Sequence, residues 1–99
     1  MEVHRELGPG FSEIVYKDAL EYELKARGMN VEREREFRVH SKDIVLPHEF
    51  YADFLVDGII LEVKTVSSLK KEHLEQTINY LKVSGLELGI LVNFRSGQS

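Results

Sequence analysis

The sequence predicts an α/β sandwich built on a mixed sheet. Three observations lead there: two amphipathic helical stretches at about 12–27 and 69–84, a hairpin signal between apolar runs, and a closing apolar run too short for a helix. The resulting order is helix, three strands, helix, strand.

Each element has its own signal. Leu7-Gly8-Pro9-Gly10 is a strong breaker that closes whatever helix begins the chain. Ser12 is placed to cap the next helix, which runs to about Arg27, with Gly28 as its terminator. Tyr16, Leu20 and Leu24 recur there at helical spacing as an inward stripe. Residues 31–40 are charged but alternate, with Val31, Phe37 and Val39 on one face, which predicts a strand with one wet face near a sheet edge. Strands follow at 49–56 and 59–65 around Asp57-Gly58, a pair suited to a tight turn because both residues tolerate positive φ. The second helix stops at Gly85 and presents Leu74, Ile78 and Leu81 as its packing face. Residues 88–94 are nearly continuously apolar, which predicts a buried strand.

Composition narrows the function. At 99 residues the chain is read as a single domain with one core, and nothing in it reads as a linker, a repeat or a low-complexity stretch. With no cysteine there is no disulfide, thiolate metal site or cysteine nucleophile, which fits a cytoplasmic protein. No apolar run approaches the ~18 residues that would span a membrane, and no signal-peptide pattern is present. The net charge of −4, from 17 acidic and 13 basic residues, argues against a protein that coats nucleic acid through many phosphate contacts. An enzyme is not excluded, because a bound metal ion inverts the local sign.

The hairpin carries the most information. A two-residue turn at Asp57-Gly58 pairs Val56 with Ile59, and counting back places Asp53 opposite Glu62 and Tyr51 opposite Lys64. Tyr51, Asp53, Leu55, Ile60, Glu62 and Lys64 then share one face, while Ala52, Phe54, Val56, Ile59, Leu61 and Val63 form the core face. Opposed carboxylates about 5 Å apart repel, and apolar flanks worsen the repulsion. A divalent cation relieves it, and oxygen donors of this kind suit Mg²⁺ or Mn²⁺. The competing reading is a same-face ion pair between Glu62 and Lys64, with Asp53 solvated.

On the second helix His73, Gln76 and Tyr80 lie within about 60° of arc, beside the apolar stripe. They are either polar groups supporting a site or boundary residues reaching for solvent. Glu13 opens the stripe continued by Tyr16, Leu20 and Leu24. It is equally readable as a site acid and as a complement to the helix dipole.

Asp53 followed by Glu62-Val63-Lys64 resembles the signature of the PD-(D/E)XK nuclease superfamily, and Gln76-Thr77-Ile78-Asn79-Tyr80 is similar to the QxxxY helix motif of its exonuclease branch. Gly10-Phe11-Ser12-Glu13-Ile14-Val15-Tyr16 is similar to the pattern that names the GxxExxY protein family, which is placed in that superfamily. The similarity runs over residues 4–94 and includes His4-Arg5-Glu6-Leu7-Gly8-Pro9-Gly10, Tyr51-Ala52-Asp53 and Asn79-Tyr80-Leu81. The resemblance implies a restriction-endonuclease-like αβββαβ core, a mixed sheet flanked by helices, and metal-dependent hydrolysis of DNA or RNA. It implies Mg²⁺ (or Mn²⁺) held by Asp53, Glu62 and the Val63 carbonyl. Lys64 would act on water and phosphate, Glu13 would support the metal site, and Gln76 and Tyr80 would position substrate or the groups around the metal ligands. Against the family pattern the segment before His4-Arg5-Glu6-Leu7-Gly8-Pro9-Gly10 is short, so the N-terminal helix is read as truncated. Exposed edges would then suit a homo-oligomer or a protein partner. The rival function is a noncatalytic interaction module of the same fold. Arg33, Arg35, Arg38, Lys70, Lys71 and Lys82 are the candidate phosphate contacts, though each also reads as ordinary surface charge.

Overall fold

The computed structural model describes residues 12–41 and 44–94, with side chains given for all of these except 40–48. Leu7-Gly8-Pro9-Gly10, the rest of the 4–11 motif segment and the tail Ser96-Gly97-Gln98-Ser99 lie outside the described residues.

Helix α1 spans Glu13–Ala26, strand β1 Val31–Ser41, β2 Ile44–Val56 and β3 Ile59–Lys64; helix α2 spans Lys71–Ser84 and strand β4 Gly89–Asn93. The strands form one mixed sheet in the order β1-β2-β3-β4, with β1–β2 and β2–β3 antiparallel and β3–β4 parallel. The two helices flank it, which is the expected α/β, restriction-endonuclease-like arrangement. Among the described residues no helix is long and apolar enough to cross a membrane.

The turns follow from local chemistry. Asp57 and Gly58 both have positive φ, 48° and 82°, and join Val56 to Ile59 in a tight hairpin. Gly28, two residues past α1, and Gly85, directly after α2, are both left-handed, as helix terminators are. Ser12 stands at the start of α1 without a side-chain cap bond. Its carbonyl instead accepts the Val15 and Tyr16 N–H groups. β2 begins five residues before its expected start, because residues 44–48 continue the hairpin with β1. The register shifts opposite Arg38 and His40, in a stretch containing Pro47, which has no N–H to give a ladder.

The main core lies between α1 and the sheet. Tyr16, Leu20 and Leu24 meet Phe54, Val56, Leu61, Val63 and Phe94, with Tyr16 and Phe94 stacked at 4.9 Å. A cavity of about 230 Å³ remains on this side, and all its lining residues are apolar, Met29, Ile59 and Val92 among them.

Two packing expectations fail. Leu74 and Ile78 are exposed on α2, and its buried residue is Thr77. Thr77 and Leu81 sit over Gly89 of β4, where the missing side chain lets the helix approach. This rolls α2 by roughly a sixth of a turn toward Tyr80, at 100° per residue. Among the described residues β4 is an edge strand with β3 as its sole sheet neighbour, and its Ile90 is half exposed where it lines the same cavity as Leu20 and Leu24.

Candidate active site

The site arises where the sheet forks. β2 and β3 pair from Val56↔Ile59 through Phe54↔Leu61 and no further. Past that point β3 stays with β4 through Lys64↔Asn93, and β2 stays with β1, where Tyr51 faces Glu36. The turn therefore sets the expected register, but Tyr51 is not opposite Lys64, and Asp53 and Glu62 are not a backbone pair. Their carboxylates fill the fork instead. The Asp53 N–H donates to Glu62 Oε2 at 2.9 Å, and the Val63 N–H donates to Asp53 Oδ2 at 2.7 Å. Each acid thus satisfies an amide that the parting strands would otherwise leave bare, a loss of roughly 1–3 kcal/mol apiece.

The expected repulsion is unevenly shared. The Asp53 side chain, 13% exposed, holds the Lys17 ammonium at 2.7 Å through Oδ1. Burial lowers the Lys17 pKa, but hydrogen bonds and charge from Asp53 and Glu13 more than offset this and leave it raised. Glu62 is 4% exposed and has no such cation in contact among the described residues. Burial pushes its carboxyl up to about 7; the Asp53 N–H pulls it back in part, and the Asp53 charge pushes the same way as burial.

Lys17 is the functional candidate that sequence reasoning missed. It is buried, and its ammonium also lies 3.3 Å from Glu13 and 3.4 Å from Glu34. A lysine beside a core stripe ordinarily reads as surface; the four-residue spacing from Glu13 was the available clue. Glu34 carried no clue. It has φ +54° and drops out of the ladder between Arg33↔Phe54 and Arg35↔Ala52, which aims its side chain at Lys17.

The remaining sequence-derived residues converge from both helices. Glu13, in the first turn of α1, reaches Asp53 through Lys17. On α2 the Gln76 amide donates to the Tyr80 hydroxyl at 2.8 Å. Burial raises the Tyr80 pKa and the Glu62 and Asp53 charges add to it, which puts that hydroxyl within electrostatic reach of both acids; Gln76 offsets part. Tyr80 is held by stacking on Phe50 at 4.1 Å, which in turn stacks on Phe37. His73 does not join the site: its Nδ1 accepts the Lys70 N–H at the start of α2. Lys64 is half-buried, lowers the Glu62 pKa by its charge, and makes no side-chain hydrogen bond or ion pair among the described residues.

These groups suit a hard divalent cation. Glu62 Oε1 receives no hydrogen bond among the described residues, so a nearly buried carboxylate keeps a lone-pair face open. The donors are all oxygen. No cluster of three or more His, Cys, Asp or Glu able to hold a metal occurs among the described residues. Two carboxylates are thus the side-chain donors that the fork can offer, leaving positions for water and phosphate.

No curated protein and no solved structure matches the chain. A family model for the PD-(D/E)XK nuclease superfamily matches residues 1–99, and nucleases of that superfamily generally use divalent metals. Its span takes in the forked strands with their acid, acid-X-lysine set, and the chain belongs to the PD-(D/E)XK nuclease superfamily.

Proposed function

We propose that the protein is a Mg²⁺- or Mn²⁺-dependent phosphodiesterase acting on DNA or RNA. The observation that carries this reading is the fork, where the Glu62 carboxylate accepts the Asp53 N–H, the Asp53 carboxylate accepts the Val63 N–H, and Glu62 Oε1 receives no hydrogen bond among the described residues. Asp53, Glu62 and the Val63 carbonyl would hold the ion. When bound, the metal would supply Lewis-acid polarisation of a phosphoryl oxygen and a water of lowered pKa. Lys64, an ammonium without a committed partner among the described residues, orients the attacking water and offsets charge growing on the phosphate. Tyr80, braced by Gln76 and Phe50, positions the substrate on the α2 side, and in the metal-free protein Glu13 steadies Asp53 from α1 through Lys17. The Gly10 to Tyr16 pattern supports assignment to the GxxExxY group.

The second reading is a noncatalytic module of the same fold, and one observation favours it: Lys17 already neutralises Asp53 in a chain of net charge −4. Labelled single- and double-stranded DNA and RNA, incubated with Mg²⁺, Mn²⁺ or chelator, separate the two. The nuclease reading expects metal-dependent cleavage that Lys64→Ala abolishes while the metal-induced rise in melting temperature persists, since a ligand of the folded state raises it. A wild-type protein with neither cleavage nor a metal-induced rise supports the module.

A further inference from the structure

We propose that Lys17 is the site's built-in counter-cation, that a divalent ion must dislodge it from Asp53, and that Lys17 thereby sets the metal affinity. The inference rests on the metal reading above and adds a residue that the superfamily signature does not contain.

Lys17 is 8% exposed, and its ammonium has three carboxylates within 3.4 Å for its three N–H donors: Asp53, Glu13 and Glu34. Asp53 is the closest at 2.7 Å and the least exposed, with 13% of its side chain accessible against 41% for Glu13 and 53% for Glu34. Glu34 reaches the cluster from a left-handed backbone conformation in mid-strand, which L residues avoid unless the surroundings impose it. Backbone strain and side-chain geometry thus converge on one cation.

An ion held by Asp53 and Glu62 would sit beside that ammonium, and two like charges at such range repel strongly where water is scarce. Lysine has a flexible four-carbon stem and three rotatable donors. Its ammonium can swing outward by one partner, release Asp53 Oδ1 and remain paired with Glu13 and Glu34 in the more exposed part of the cluster. Glu13 and Glu34 are then berths for the displaced lysine. The exchange also sets a threshold, because a monovalent ion gains too little from the acids to evict a resident ammonium.

Calorimetric titration of Mg²⁺ and of Mn²⁺ into wild type and Lys17→Met tests this. The variant is expected to bind about tenfold tighter or more, the factor set by removing one charge a few ångströms from a divalent ion. Its metal-free melting temperature should fall and its metal-induced rise should grow. A lysine of purely structural use would lower the metal-free melting temperature and leave affinity unchanged. Equal or weaker binding by Lys17→Met overturns the proposal. If the variant does not fold, NMR of the Lys17 side chain in wild type decides: loss of its ion-paired Nζ and Cε shifts at metal saturation supports displacement, and unchanged shifts refute it. Wild type and variant both failing to bind metal would defeat the metal reading itself, whereas equal binding by both defeats this inference alone.

Discussion

Raising the pH should weaken the metal-free fold through Glu62, and by an amount the site itself sets. Its carboxyl is 4% exposed, so little solvent screens it, and burial lifts its pKa from 4.5 to about 7. The folded chain therefore keeps a proton that the unfolded chain releases. Stability from this group is complete below pH 4.5 and is lost as pH rises through about 7. A tenfold change in proton affinity is worth about 1.4 kcal/mol, so the loss is about 3 kcal/mol, a large share of a small domain's stability. Lys17 does not blur the window, because its raised pKa contributes stability that is lost only as pH rises above 10.5. Glu21, lowered first by its hydrogen bond from Lys25 and then by Arg33, contributes above 4.5 and loses that stability below it. Urea unfolding of wild type and Glu62→Gln in chelator, at pH 5 and pH 8, isolates the effect. Wild type should lose about 2.5 kcal/mol more than the variant between the two pH values, slightly less than the full amount because the unfolded chain is already mostly ionised at pH 5. Saturating Mg²⁺ should erase most of that difference, since the ion favours the charged carboxylate. A difference that stays flat with pH in chelator would refute the buried, proton-holding Glu62.

Asp53→Asn should abolish the metal-induced rise in melting temperature and also lower metal-free stability by about 2 kcal/mol, because one amide cannot serve both Lys17 and the Val63 N–H; denaturant unfolding measures this, and an unharmed metal-free fold would show that those two bonds contribute little. Gly89→Ala should lower stability by about 1 kcal/mol, since its Cβ would meet the Thr77 methyl at 3.2 Å and Leu81 at 3.4 Å. Adding Thr77→Ser, which removes that methyl, should recover part of the loss, and a stabilised Gly89→Ala would mean that α2 sits further from β4.

The fold was legible where local chemistry decides it. Asp57-Gly58 specifies a turn with two positive φ angles, and with it the register that brings Asp53 near Glu62. Tyr16, Leu20 and Leu24 repeat at helical spacing and are buried. The illegible parts depend on distant partners. The fork cannot be read from β2 or β3, because it reflects each strand's allegiance to a different outer neighbour. The roll of α2 depends on Gly89, twelve residues beyond the Thr77 it admits, so Leu74 and Ile78 look like core but are not. The repulsion expected between Asp53 and Glu62 was a two-body argument. Lys17, from α1, makes it a three-body one and concentrates the cost on Glu62.

The two lysines at the site differ by what surrounds them. Lys17 is enclosed by three carboxylates, so its charge is spent on the protein, while Lys64 faces none at contact distance among the described residues. Their separation follows from the fork. Asp53 is on the strand that departs with β1, beneath α1, and so meets the lysine from that helix. Glu62 and Lys64 remain on the strand paired with β4 and stay clear of it. In the metal-free protein one acid is therefore neutralised by Lys17, and the other has its pKa raised to about 7 by burial, with an oxygen and, two residues away, an ammonium that lack a partner among the described residues. In a chain of net charge −4, bulk attraction for a polyanion is weak. On the proposed nuclease reading, recognition of a phosphate would fall to this local asymmetry rather than to a basic surface.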